Sequence, residues 1–192
     1  ILEKLVDISD ILLIGGGMAY TFLAALGYEV GRSILEKEYI ENVKKILGIA
    51  KKKNKEIVIP VDSLVADEFA EDAIAYNVPV DKIPPKMMGM DIGEKTIRIF
   101  QKKIENAKTL FWNGPLGVFE MRKFSKGTNK IAAKIATLEE RCFTVIGGGD
   151  SIAAINKIGL AGNISHISTG GGASMEYLSG EKLPGIEAIK NK

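Results

Sequence analysis

Three glycine triplets stand out as the residues best placed to do chemistry: Gly15, Gly16 and Gly17; Gly147, Gly148 and Gly149; Gly170, Gly171 and Gly172. Nine of the 21 glycines lie in them, and each triplet follows a short apolar run and precedes a stretch of helical character. Glycine lets the backbone turn sharply and lets its N–H groups come close to an anion. The helix that follows points its positive end at the same spot. One such turn is explained equally well by tight packing, but three on one sheet edge point to a ligand rich in phosphate. Asp150 and Ser151 follow the second triplet at the start of a helix. They suit an N-cap, and beside phosphates a carboxylate and a hydroxyl also suit magnesium, a hard oxygen-seeking ion. Glu120 ends another loop at this edge, where it is either a solvated carboxylate or an acceptor for ribose hydroxyls.

Several chemistries are disfavoured. The dinucleotide pattern G-x-G-x-x-G fails at every triplet, because its last glycine would fall at Tyr20, Ile152 and Met175. No Gly-Lys pair occurs, so there is no Walker A loop. His166 is the only histidine; it sits inside an apolar run with no nucleophile motif beside it, as a packed or hydrogen-bonded strand residue would. With one histidine and one cysteine, Cys142, a zinc site is excluded. Cys142 lies against an apolar stretch and reads as a buried, inert thiol, which fits a reducing cytoplasm.

The elements that must position these residues follow from the hydrophobic pattern. Five compact apolar runs, at residues 11–14, 57–61, 109–112, 143–146 and 164–168, read as strands. Helical periods lie between them, most clearly over residues 39–50, where Ile40, Val43, Leu47 and Ala50 share a face. Strands alternating with helices predict an α/β fold, a Rossmann-like three-layer sandwich with a mostly parallel sheet flanked by helices. Right-handed crossovers bring the carboxyl ends of all strands to one edge, where ligands of such sheets bind. Residues 62–91 have few helix signals and carry Pro79, Pro84, Pro85 and a methionine patch at Met87, Met88 and Met90; they read as a long functional loop. The methionines either line an adenine slot or fill the core. Trp112 is most simply a core anchor.

The chain has 192 residues, 46% of them hydrophobic, which suits a single domain over residues 1–192. Its 26 basic and 24 acidic residues leave a net charge of +2, too little for a nucleic-acid partner. Lys51, Lys52, Lys53 and Lys55 form a basic cluster that reads as a solvated helix end. No apolar run approaches the roughly 20 residues of a membrane span, so no membrane partner is expected. The chain starts at Ile1 in an amphipathic stretch without a signal peptide, as part of a longer protein would.

These residues acquire a family context from longer motifs. Ile14-Gly-Gly-Gly-Met-Ala-Tyr-Thr-Phe22, Pro60-Val-Asp62, Met88-Gly-Met-Asp-Ile-Gly93, Trp112-Asn-Gly-Pro-Leu-Gly-Val-Phe-Glu120, Gly147-Gly-Gly-Asp-Ser151, Ser168-Thr-Gly-Gly-Gly-Ala-Ser174 and Leu183-Pro-Gly185 occur in one order along the whole chain. The pattern closely resembles the carboxyl-terminal, nucleotide-binding domain of phosphoglycerate kinase. The resemblance implies that Gly15, Gly16 and Gly17 pass beside the adenosine, with Ile34, Phe69, Gly89 and Met90 shaping the adenine slot. Asn113, Pro115 and Val118 would border the nucleotide, and Glu120 would hold the ribose. Gly148, Gly149, Asp150 and Ser151 would receive the phosphates of ADP or ATP, with Asp150 taking Mg2+. Thr169, Gly170, Gly171 and Gly172 would lie along the path of the transferring phosphoryl group.

The resemblance also implies a reversible transfer between 1,3-bisphosphoglycerate and ADP, giving 3-phosphoglycerate and ATP, in a monomeric glycolytic enzyme. The family's amino-terminal substrate domain and a glycine-rich, lysine-bearing strand end upstream of Ile1 are absent from these residues. On this expectation the chain is inactive alone, its sheet lacks a strand, and Leu183–Gly185 with the tail would contact the absent domain. Two other classes compete: a stand-alone nucleotide-binding module without turnover, and a dinucleotide oxidoreductase, which the failed fingerprints disfavour.

Overall fold

The computed structural model describes residues 1–138 and 140–190, so the last two residues of the tail lie outside it. All five expected strands form: β1 (Ile11–Leu13), β2 (Glu56–Val58), β6 (Thr109–Asn113), β7 (Phe143–Gly147) and β8 (His166–Ser168). Their pairings are parallel, as short apolar strands separated by helices require. The strand expected at residues 57–61 stops at Val58, two residues short of Pro60, which has no N–H to give a ladder.

One expectation is corrected. Residues 62–91 are not a long loop but a three-stranded antiparallel sheet, in which β3 (Asp62–Ala66) lies between β4 (Ala75–Pro79) and β5 (Met88–Ile92). The prolines that suggested a loop sit where a sheet tolerates them: Pro79 ends the edge strand β4, and Pro84 and Pro85 precede β5. Met87 and Met90 are buried, each within an apolar cluster.

The parallel strands fall into two sets, β1–β2 and β6–β7–β8, and no hydrogen-bonded ladder joins β1 to β6 among the described residues. Both sets cover one core nonetheless. Leu13 of β1 and Val58 of β2 pack against a cluster that includes Trp112, Ile146 and Ile155. The cluster also takes the apolar faces of α4 (Glu94–Ile104), α5 (Lys126–Ala136) and α6 (Gly149–Lys157). A second group of helices, α1 (Leu2–Ile8), α2 (Met18–Ala25) and α3 (Ile40–Lys52), covers β1 and β2 through Val6, Phe22, Val43 and Ile46. The expected period at residues 39–50 is thus α3, whose last turn carries exposed Lys51 and Lys52, while Lys53 and Lys55 pair with Asp7 and Asp10.

Asp62, the residue that follows the apolar run at 57–61, serves the fold. Its carboxylate accepts the backbone N–H groups of Lys95 and Thr96, at 3.0 and 2.8 Å, and the Thr96 hydroxyl at 2.6 Å. It therefore caps α4 from another strand, satisfying donors that a helix start leaves free. Cys142 is buried as expected, just before β7, and burial pushes its thiol up. His166 lies on β8 in register with Val145, but it is exposed rather than packed.

Candidate functional site

Each glycine triplet leaves the end of a parallel strand and runs into a helix: Gly17 precedes α2, Gly149 opens α6, and Gly171 opens α7 (Gly171–Leu178). The three turns are built differently. A Cβ on Gly15 would come within 2.2 Å of the Leu116 side chain, and one on Gly16 within 2.6 Å of the Pro115 carbonyl oxygen. Gly15 and Gly16 are therefore glycine because residues 113–120 press against them.

That loop is held from four sides. Trp112, a buried anchor as expected, donates its indole N–H to the Gly114 carbonyl at 2.7 Å. The Gly114 N–H donates to the Ser151 hydroxyl at 2.7 Å, and the Leu116 N–H to the Thr128 hydroxyl at 3.0 Å. The Val118 N–H donates to the Met90 carbonyl at 2.8 Å, bringing Val118 onto β5.

The second and third triplets meet each other. Gly148 has φ of 88°, a conformation that glycine adopts freely, and a side chain there would meet the Asn113 amide oxygen at 2.6 Å. A Cβ on Gly171 would lie 2.4 Å from the Gly148 Cα, so two backbones are in contact. Asn113, Gly148 and Gly171 thus bring the carboxyl ends of β6, β7 and β8 together. Around this point Gly149, Asp150, Thr169, Gly170 and Gly172 are exposed, and nothing lies within 4 Å of where side chains on Gly149 and Gly172 would begin. Two helix starts with bare N–H groups border one open surface, which suits an anion.

The Asp150 and Ser151 side chains separate. Asp150 is exposed in the first turn of α6 and makes no hydrogen bond or ion pair among the described residues; the N-cap position belongs to Gly148. Ser151 is buried, with its hydroxyl taken by Gly114, so its side chain braces the loop and does not face the open surface. No group of three or more His, Cys, Asp or Glu side chains converges among the described residues. A cation at Asp150 would accordingly draw its remaining oxygen ligands from phosphate and water. Glu120 is exposed at the end of its loop.

The residues expected around a base are brought partly together. Ile34 lies against Gly17, 3.5 Å from where a Cβ on that glycine would sit, and is exposed, as is Phe69. Gly89 donates its N–H to the Ser33 hydroxyl at 2.9 Å, and any side chain at Gly89 would strike the Tyr20 hydroxyl. Tyr20 and Ser63 share a buried hydrogen bond of 2.8 Å, and burial pushes the phenol up to about 12. Met90 is buried in a cluster that Val118 packs against, and its carbonyl accepts the Val118 N–H.

Sequence reasoning missed Asp91. This carboxyl is buried against Gly117 and Gly127, accepting the N–H groups of Gly127 at 2.7 Å and Ile92 at 2.8 Å. Burial pushes it up to about 7, against the pull of those two donors. It joins β5 to the start of α5 and to the loop bearing Val118. The only signal in the sequence is its place between Met90 and Ile92, an acidic residue in an apolar run.

Parallel strands, covering helices and glycine-rich turns at one edge define an α/β protein whose open surface is mostly backbone, with Asp150 and Thr169 beside it. Among the described residues no helix is long and apolar enough to cross a membrane. The family model for phosphoglycerate kinase matches residues 1–181. A phosphoglycerate kinase of Borrelia turicatae is 50% identical over 190 residues, covering 99% of this chain and 48% of the relative. One of Clostridium tetani is 46% identical, covering 100% of this chain and 47% of the relative. The solved phosphoglycerate kinase structure from Coxiella burnetii superposes with a TM-score of 0.92 at 40% identity, covering 97% of this chain and 48% of that one. The chain belongs to the phosphoglycerate kinase family, and it spans about half the length of the relatives it matches.

Proposed function

We propose that this chain is the magnesium–nucleotide half of a glycolytic phosphotransferase that moves a phosphoryl group between 1,3-bisphosphoglycerate and ADP, giving 3-phosphoglycerate and ATP. The observation that carries the reading is the open surface around Gly149, Asp150, Gly170 and Gly172, bordered by the starts of α6 and α7. In the direction of ATP synthesis, a terminal oxygen of the ADP β-phosphate attacks the acyl phosphate. The P–O bond to the carboxylate breaks, and the carboxylate leaves with no proton to be supplied. No general base is needed, so positioning and charge stabilisation carry the reaction.

The N–H groups of Thr169, Gly170, Gly171 and Gly172 are the donors on this chain for the phosphoryl group in transit, acting as fixed dipoles that need no reorganisation. Gly148 and Gly149 hold the nucleotide phosphates, Glu120 the ribose, and Ile34, Phe69 and the backbone at Gly89 the base. Asp150 would hold Mg2+, which when bound neutralises phosphate charge. The 3-phosphoglycerate site belongs to an amino-terminal domain beyond these residues, so this chain by itself binds nucleotide without turnover. A monomer in the cytoplasm completes the reading.

Calorimetric titration with ADP tests it. Affinity should rise with magnesium, and Asp150→Ala should abolish that gain while leaving metal-free ADP binding in place. Equal affinity with and without magnesium, unaffected by the substitution, would remove the metal assignment. NADH binding tighter than ADP would favour an oxidoreductase instead.

A further inference from the structure

Ile34 and Phe69 are 68% and 62% exposed, and they stand on segments far apart in sequence. One side chain ties those segments together. The Arg32 guanidinium donates to the Asp67 carbonyl at 2.9 Å and, at 3.5 Å, to the Lys86 carbonyl. Arg32 is two residues before Ile34, and Asp67 is two residues before Phe69. Each end of the strap is anchored. The Arg32 N–H donates to the Met87 carbonyl at 2.7 Å, and the neighbouring Ser33 hydroxyl accepts the Gly89 N–H at 2.9 Å. On the other side, the Asp67 N–H donates to the Ile74 carbonyl at 3.2 Å, and the Ile74 N–H returns to the Asp67 carboxylate at 2.9 Å. Lys123 fixes the far side of this turn, donating its ammonium to the Ala73 carbonyl and its N–H to the Glu71 carboxylate at 3.2 Å.

We propose that Arg32 is a positioning residue for the nucleoside: its guanidinium sets the spacing between the Ile34 and Phe69 walls, and so the affinity for a flat aromatic base. The inference rests on the nucleotide reading above. One guanidinium nitrogen, Nη1, reaches both carbonyls from a planar, rigid head, whereas a lysine ammonium on a flexible stem holds them with less geometric definition. Arg32 touches neither phosphate nor metal residues, so its effect belongs to the base alone.

The test compares Mg-ADP with Mg-pyrophosphate, which lacks the base, on the full chain by calorimetry. Arg32→Ala should weaken ADP about three- to tenfold, as expected for an exposed hydrogen bond from a charged donor. Pyrophosphate affinity should change by less than about twofold, and the melting temperature should hold. Arg32→Lys should restore part of the loss. Combined with Phe69→Ala, Arg32→Ala should add nothing, since both act through one wall.

If Phe69→Ala weakens ADP and Arg32→Ala does not, the base slot stands and the strap is refuted. Equal losses for ADP and pyrophosphate would make Arg32 a phosphate or folding residue and overturn the proposal. ADP affinity insensitive to Phe69→Ala and Ile34→Ala, or no ADP binding at all, would refute the base slot and the strap with it.

Discussion

Raising the pH should weaken this fold, and Asp91 is the reason. The carboxyl sits at about 7 in the folded chain against 3.8 for an ordinary aspartate, chiefly because burial penalises its charge; Glu94 pushes the same way and Lys126 opposes it. A group whose pKa is raised by folding binds its proton more tightly in the native state. The stability this contributes is complete below about pH 4 and is lost as the pH rises through about 7. From about pH 5.5 to pH 8 the wild type should therefore lose about 2 kcal/mol, since each pH unit below the native pKa is worth about 1.4 kcal/mol.

Urea unfolding at the two pH values, followed through the buried Trp112, measures the difference directly. Asp91→Asn separates the titration from the packing. The amide keeps one acceptor oxygen but turns its NH2 toward one of the two N–H donors, so the variant should be less stable at both pH values. Its pH dependence should nonetheless be flatter by the same 2 kcal/mol or so. A wild type equally stable at both pH values, or an Asn variant that keeps the full slope, would refute the assignment.

Two further substitutions probe the turns at the edge. Ser151→Ala removes the acceptor of the Gly114 N–H at a buried position and should lower stability by about 1–3 kcal/mol, read from the urea midpoint. Gly171→Ala and Gly172→Ala, although adjacent, should behave oppositely. At Gly171 a methyl meets the Gly148 backbone at 2.4 Å, which has no way to yield, so about 1–3 kcal/mol should be lost. At Gly172 nothing lies within 4 Å, so alanine should be neutral or gain up to about 1 kcal/mol of helix stability while weakening Mg-ATP more than Mg-ADP.

The parallel strands and the helix at residues 40–52 were legible because each is a local pattern: an apolar run, or a stripe of period 3.6. The antiparallel sheet at residues 62–92 was not. Its strands are five residues each, β4 has mostly exposed or half-buried residues, and a register shift between Leu64 and Val65 breaks the alternation along β3. What makes them strands is mutual pairing across turns, and pairing leaves little trace in composition. Prolines at their ends then read as loop signals, since a single sequence does not distinguish a strand's end from its absence.

The site shows the same limit at finer grain. Nine glycines of identical chemistry follow three strands, and their positions gave the edge correctly. The contacts divide them by cause. Gly15 and Gly16 are small because the loop at residues 113–120 leans on them, and Gly171 is small because Gly148 does. Gly149 and Gly172 have no neighbour that demands it. A glycine held by packing is explained by the fold, whereas one at a helix start facing open space is a free choice unless something outside the chain must come close. The open glycines beside Asp150 are therefore the ones that point to an anionic ligand, and the packed ones serve to bring the strand ends together there.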